Sequence, residues 1–211
     1  MGPLARQKYA QLVVQKAGIF PGDWVLDVET GSGILGVQVA RAFTRCKVVA
    51  TGVDIKDLER ARANAAAEGC AERVRFVRAS PDALPFKDEA FYFATIGLQL
   101  HRLDEPLAVL AEIHRATGFS AKVYAIALDL ARVKPKPRGW AASVFDEETL
   151  AAMREMGYGK IARQRVAVLQ DGAQLDLVMA KRFDPTDEGE DEGEDEDEDE
   201  GDDDDDDDAE E

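Results

Sequence analysis

The chain has 211 residues, with 26 lysines and arginines against 43 aspartates and glutamates, a formal net charge of −17. From Asp184 onward there are 22 acids and no base, so the first 183 residues hold 21 acids against 26 bases, a net of +5: a mildly basic body of one-domain length carries a strongly acidic tail. Two cysteines and two histidines exclude a disulfide framework and a Cys/His metal site, and charges interrupt every stretch that could serve as a signal peptide or a membrane span, which points to a soluble, cytoplasmic protein.

Residues 4–18 set Leu4, Tyr9, Leu12, Val13 and Ala17 among polar neighbours at helical spacing. Pro21-Gly22 turns the chain into 24–28, a short apolar run of the kind covered on both faces. A glycine-rich turn and a helix over 34–44 follow, then a second buried strand, 47–53. Residues 57–68 carry Leu58, Ala61 and Ala65 on one helical stripe, and 73–78 alternates apolar with basic residues as a third strand. A fourth strand at 91–96, a helix at 106–115 with Pro106 in its first turn, and a fifth strand at 122–128 continue the alternation. Residues 129–144, with Pro135, Pro137 and Trp140, read as a loop, and Asp146 caps a further helix with Glu147 and Glu148 in its first turn. Finally, 161–169 and 173–181 flank Asp171-Gly172, a hairpin signal. This pattern predicts an α/β fold. Its sheet is doubly wound, seven-stranded and mostly parallel, with helices on both faces and an antiparallel C-terminal hairpin strand at one edge. Residues 1–183 form the domain, and 184–211, too polar to offset the entropy of ordering, form a disordered acidic tail.

Between the first strand and its helix lies Gly31-Ser32-Gly33-Ile34-Leu35-Gly36. Glycines there let backbone approach a ligand, and the helix N-terminus presents free N–H groups to an anion. Asp54 ends the second strand, where a carboxylate can accept both hydroxyls of a ribose. Together they indicate a nucleotide-type site. The same glycines fit NAD, but the first strand carries an acid, Asp27, and the chain closes in a hairpin instead of a parallel second half.

Residues Val25-Leu26-Asp27-Val28-Glu29-Thr30-Gly31-Ser32-Gly33 resemble motif I of the class I S-adenosyl-L-methionine-dependent methyltransferases. Gly52-Val53-Asp54-Ile55 with Ala61-Arg62-Ala63-Asn64-Ala65 resembles their second motif. Ala83-Leu84-Pro85-Phe86-Lys87-Asp88-Glu89-Ala90-Phe91 is similar to a segment of the type 11 subgroup, which includes quinone-biosynthesis methyltransferases, and the likeness spans residues 4–181. The resemblance implies S-adenosyl-L-methionine (SAM) as cofactor. In that reading Asp27 and the backbone of Gly31, Ser32 and Gly33 hold its methionine end, Asp54 its ribose and Ile55 the adenine face. Ser80 stands at the adenine amino group, with Asp82 as a neighbouring substitute, and Ile96, Gly97 and Leu98 face the sulfonium and the acceptor. Three positions depart from the pattern. Glu29 replaces the usual first glycine; at positive φ a side chain there costs about 1–2 kcal/mol, yet its carboxylate could attract the cationic end of SAM. Ser80 replaces an aspartate. Tyr92 stands where an aspartate commonly follows the phenylalanine, with packing as its ordinary role.

Methyl transfer from a sulfonium is an in-line displacement that asks mainly for positioning and exclusion of water. His101, beyond the fourth strand, is the candidate general base, with a structural histidine as the plainer alternative; His114 reads as a surface residue. Cys46 and Cys70 lie away from the reaction end. The expectation is a methyltransferase acting on a small-molecule substrate, with Trp140 in the 132–140 loop as a candidate cover. The alternative is a non-catalytic scaffold of the same fold, its acidic tail docking on a basic protein partner. Nucleic acid is disfavoured as a partner, because the tail would compete with phosphate for Arg73, Arg75, Arg78 and the 132–138 cluster.

Overall fold

The computed structural model describes residues 3–129, 144–168 and 174–184. The Trp140 loop, the Asp171-Gly172 turn and the acidic segment beyond Asp184 lie outside the described residues. Within them the expected alternation holds in order: α1 (Pro3–Lys16), β1 (Trp24–Val28), α2 (Ile34–Ala42), β2 (Lys47–Gly52), α3 (Ile55–Ala67), β3 (Val74–Arg78), β4 (Phe91–Ile96), α4 (Pro106–Ala116), β5 (Thr117–Asp129), α5 (Glu147–Glu155), β6 (Tyr158–Val168) and β7 (Gln174–Arg182). The α5 cap is the expected one, with Asp146 accepting the Thr149 N–H at 2.9 Å.

The strands form one seven-stranded sheet in the order β3-β2-β1-β4-β5-β7-β6. The first five are parallel neighbours, and β7 runs antiparallel to both β5 and β6. The antiparallel strand is therefore not at the edge, as the hairpin suggested, but inserted one place in. Composition explains the order. A strand with neighbours on both sides and helices on both faces must be apolar throughout. In β7, Leu175, Leu177, Val178 and Ala180 are buried, whereas Ala162, Arg163, Gln164 and Arg165 of β6 are exposed. The one acid in β7, Asp176, is 2% exposed, and Arg163 answers it from the neighbouring strand with Nη2 at 2.6 Å and Nε at 3.0 Å.

Alternating strand residues divide the core in two. One cluster joins Tyr9, Val13, Val37, Val39, Phe93 and Leu177 beneath α1 and α2; the other joins Leu26, Leu110, Ile113, Phe145, Met153 and Tyr158 beneath α4 and α5. Cys46 and Cys70 lie in the first cluster, where burial pushes both thiols up in pKa. His114 is not a surface residue: its ring meets Tyr158 edge-on at 4.9 Å and is half-buried. Tyr92 is 62% exposed, with its ring edge beside Gly118. The segment 83–91 is ordered by α4, because Arg115 donates to the carbonyls of Leu84 and Phe86 while Glu112 accepts the Leu84 N–H at 2.8 Å. Among the described residues no helix is long and apolar enough to cross a membrane, and no cluster of three or more His, Cys, Asp or Glu side chains could hold a metal ion.

Candidate functional site

The sheet order reverses between β1 and β4, so the chain leaves these adjacent strands toward opposite faces. A crevice opens at their carboxyl ends, as it does at such switch points generally. A cavity of about 240 Å³ occupies it. Its walls come from the turn after β1 (Glu29 to Ser32), the start of α2, the segment from Gly97 to Arg102 after β4, and Tyr9 of α1. The volume lies just below the roughly 300–1,000 Å³ usual for small-molecule sites.

Asp27 forms the floor. It is 1% exposed, and donors converge on both its oxygens: Thr95 Oγ1 at 2.7 Å on Oδ1, and Thr30 Oγ1 at 2.5 Å and the Gly36 N–H at 3.0 Å on Oδ2. Burial raises its pKa, and these hydrogen bonds oppose the rise without cancelling it. One carboxylate thus ties β1 to β4, to the turn and to α2. Gly36 is required by that tie, since a Cβ there would lie 2.6 Å from Oδ2. The turn is braced from the other side by α3, whose Asn64 donates to the Ser32 carbonyl at 2.9 Å. Gly33, at φ +82°, is the N-cap of α2 and supplies no side chain to its free N–H groups. The first turn of the helix stands on the cavity wall through Ile34 and Leu35, with its Gly36 N–H taken by Asp27.

Glu29 adopts φ +49°, the left-handed conformation that the missing glycine would take without strain. Its carboxylate crosses to the end of β2 and accepts the Val53 N–H on Oε1 at 3.2 Å. Partial burial raises its pKa, the Val53 bond and the nearby Arg102 charge opposing. His101 sits in a short 3-10 turn, Leu100–Arg102, and is 3% exposed. Burial, with the adjacent Arg102 charge, pushes its pKa down to about 4, so the imidazole is neutral at pH 7.

Of the residues singled out in the sequence, the cavity brings together Asp27, Glu29, Gly31, Ser32, Gly97, Leu98 and His101. Gly33 lies just behind it, against Val37 and Ala61. Ile96 is fully buried in β4 and belongs to the core. Asp54, Ile55 and Ser80 are exposed and outside the lining. The Asp54 carboxylate caps α3, accepting the Lys56 N–H at 2.8 Å, and the Ser80 hydroxyl donates to Asp82. Sequence reasoning missed Tyr9, Thr30, Gln99 and Arg102, which line the cavity, and Thr95, which fixes its floor. Arg73, just before β3, donates to the Ala40 carbonyl; within β3, Arg78 donates to that of Val53, and Arg75 lies over the Trp24 ring.

A family profile described as "Methyltransferase domain" matches residues 25–118. Among curated proteins, the ubiquinone/menaquinone biosynthesis C-methyltransferase UbiE of Desulfotalea psychrophila is 32% identical over 109 residues, covering 52% of this chain and 43% of that protein. The 2-phytyl-1,4-naphtoquinone methyltransferase of Nostoc sp. is 33% identical over 116 residues, covering 54% of this chain and 50% of its own. The chain spans about half the length of the curated relatives it matches. Among solved structures, a SAM-dependent methyltransferase from Aquifex aeolicus superposes with a TM-score of 0.68 at 22% identity, over 86% of this chain and 94% of that one, a likeness of fold.

Proposed function

We propose that the chain, whose residues 25–118 match a methyltransferase-domain profile, is a class I SAM-dependent methyltransferase that binds SAM in the crevice between β1 and β4 and methylates a small-molecule acceptor in the cytoplasm. The observation that carries the reading is the cavity itself. It lies at the switch point, its floor is tied by Asp27, and the open N-terminus of α2 stands on one wall.

The residues present fit the group. The free N–H groups at the start of α2 suit the carboxylate of the methionine end, and the backbone of Gly31 and Ser32 allows close approach. Bound there, SAM would supply an electrophilic methyl group, with its neutral thioether as the leaving group and the acceptor's proton passing to solvent. The chain's part is to hold and to exclude. Gly97 and Leu98 form the wall beside the cavity, and Tyr9 closes it from α1. His101 presents a neutral imidazole there, able to accept a hydrogen bond from an acceptor hydroxyl. With a pKa near 4 it is a weak proton acceptor, so rate enhancement comes from alignment more than from base catalysis. Quinone-type rings are the first acceptors to try, since the relatives at 32% and 33% identity carry those names. The comparisons do not favour the non-catalytic reading. For residues 184–211 the run of 22 acids supports a self-repelling, solubilising extension, with docking on a basic protein as its finer alternative.

Calorimetric titration with SAM and with S-adenosylhomocysteine tests the proposal. Micromolar binding of both, weakened by Gly97→Val in the cavity wall, is the expected result. Silence in both titrations with the unaltered chain refutes it. Deleting residues 184–211 and comparing capture of a basic protein at low and high salt tests the docking alternative, which requires salt-sensitive capture lost with the tail.

A further inference from the structure

β4 delivers Gly97 to the cavity, so its first residues lie at the far end of the sheet. There the β4–β5 ladder slips: Phe91 pairs with Thr117 and Phe93 with Lys122, which leaves Tyr92 opposite the whole stretch from Gly118 to Ala121. Slips of this kind re-aim side chains. Here Phe119 is left 45% exposed, close to the 62% exposed Tyr92, whose ring edge lies beside Gly118. β7 runs antiparallel to β5 and so ends at the same place, where Phe183 is 48% exposed. The remaining exposed aromatic side chain among the described residues is Phe20. Glu89 and Ser120 each hold a left-handed φ of +59°, a strain that persists where surroundings impose it and gathers at functional positions. The cluster is fixed by its own contacts. Arg182 lies over the Phe119 ring at 4.6 Å and pairs with Glu89 at 3.1 Å. The Phe183 N–H donates to the Gly157 carbonyl at 2.8 Å, and Ser120 Oγ donates to Asp184 Oδ2 at 3.1 Å.

Resting on the docking alternative given above for residues 184–211, we propose that Tyr92, Phe119 and Phe183 form, with the acidic run that begins at Asp184, one docking surface for an arginine-rich segment of a partner protein. Charge selects the occupant. A second copy of this chain would bring 22 acids against 22 acids, and an anionic lipid surface or a nucleic acid would meet the same repulsion. A cationic segment is attracted instead. The exposed rings then distinguish one cation from another, because a guanidinium stacks on an aromatic face more readily than an ammonium does. Arg182 on Phe119 already shows that geometry within the chain, and its charge is answered by Glu89, so it does not cancel the acids beyond it. The acids supply the long-range pull and the rings the short-range selection.

Fluorescence anisotropy with two labelled peptides of equal length and charge, one of arginines and one of lysines, tests this on the full chain. The variants are Tyr92→Ser/Phe119→Ser/Phe183→Ser and, with the Arg182 stack left intact, Tyr92→Ser/Phe183→Ser; thermal unfolding checks that each is folded. The unaltered chain is expected to bind the arginine peptide more tightly than the lysine peptide, and to keep that preference as salt is raised and the contribution of the acids is screened. The triple variant should bind the arginine peptide about 10-fold more weakly and treat the two peptides alike, and the double variant should lose part of the preference. Equal affinity for both peptides in the unaltered chain, or an arginine preference that survives the substitutions, overturns the proposal and leaves the acids as a general cation binder. Failure of the unaltered chain to bind either peptide overturns the docking alternative as well.

Discussion

Replacing Gly36 by alanine tests whether the tie through Asp27 organises the site. The added Cβ falls 2.6 Å from Asp27 Oδ2, 3.2 Å from Cγ and 3.1 Å from Cβ, inside the roughly 3.5–4.0 Å at which nonbonded carbons sit comfortably. The carboxylate has little room to yield, because Thr95 holds one oxygen at 2.7 Å and Thr30 holds the other. Overpacking of this kind costs about 1–3 kcal/mol. The strained Gly36 N–H bond to Oδ2 contributes about 1.5–3 kcal/mol if lost, and alanine returns about 1 kcal/mol of helix propensity. The net expectation is a loss of about 3 kcal/mol, measurable as a lower urea midpoint and small enough to leave a domain of ordinary stability folded. In an Asp27→Ala background the carboxylate is gone and only its Cβ remains near the new methyl. There Gly36→Ala should cost about 1 kcal/mol or less, a coupling of about 2 kcal/mol between the two positions. Losses that add to within about 0.5 kcal/mol would refute the account, since they would mean that Gly36 and Asp27 do not meet.

Two further outcomes follow from other side chains. His101, held at about 4 against an ordinary 6.5, binds its proton less readily folded than unfolded. The fold therefore loses stability as pH falls through that window, by up to about 3 kcal/mol at roughly 1.36 kcal/mol per pH unit. His101→Gln should flatten this part of the stability curve between pH 6.5 and 4, and parallel curves for the two proteins would count against it. Arg163→Met leaves buried Asp176 with Arg165, at 3.6 Å, as its cationic neighbour among the described residues, and is expected to lower unfolding stability by about 3 kcal/mol. Adding Asp176→Asn should recover part of that loss, and no recovery would show that the arginine acts through packing alone.

The strands and helices were legible because their signals are local. The run 24–28, the cap at Asp146 and the stripe of Leu58, Ala61 and Ala65 each owe their form to neighbours in sequence. The order of the last two strands was not, because a hairpin signal reports that strands pair and says nothing of which one docks on the sheet. The polar run from Ala162 to Arg165 against the apolar run in β7 would have settled it. In the site, Asp27 and the glycine turn stood out, while Thr30 and Thr95 did not: threonine is ordinary in strands and turns, and only the fold brings those hydroxyls to one carboxylate. Asp54 was legible in a different way. An acid between a strand and a helix fits a sugar contact and a helix cap equally well, and spacing cannot separate the two.

The insertion of β7 between β5 and β6 also fixes a sequence of events as the polypeptide emerges from the ribosome. β6 is made first, and among the described residues its ladder is with a strand not yet synthesised. Until that strand arrives, β5 presents an open flank and two bare backbones wait side by side. Premature termination before Gln174 would leave both exposed, which makes the final apolar segment the clasp of the assembly and its absence an invitation to aggregate.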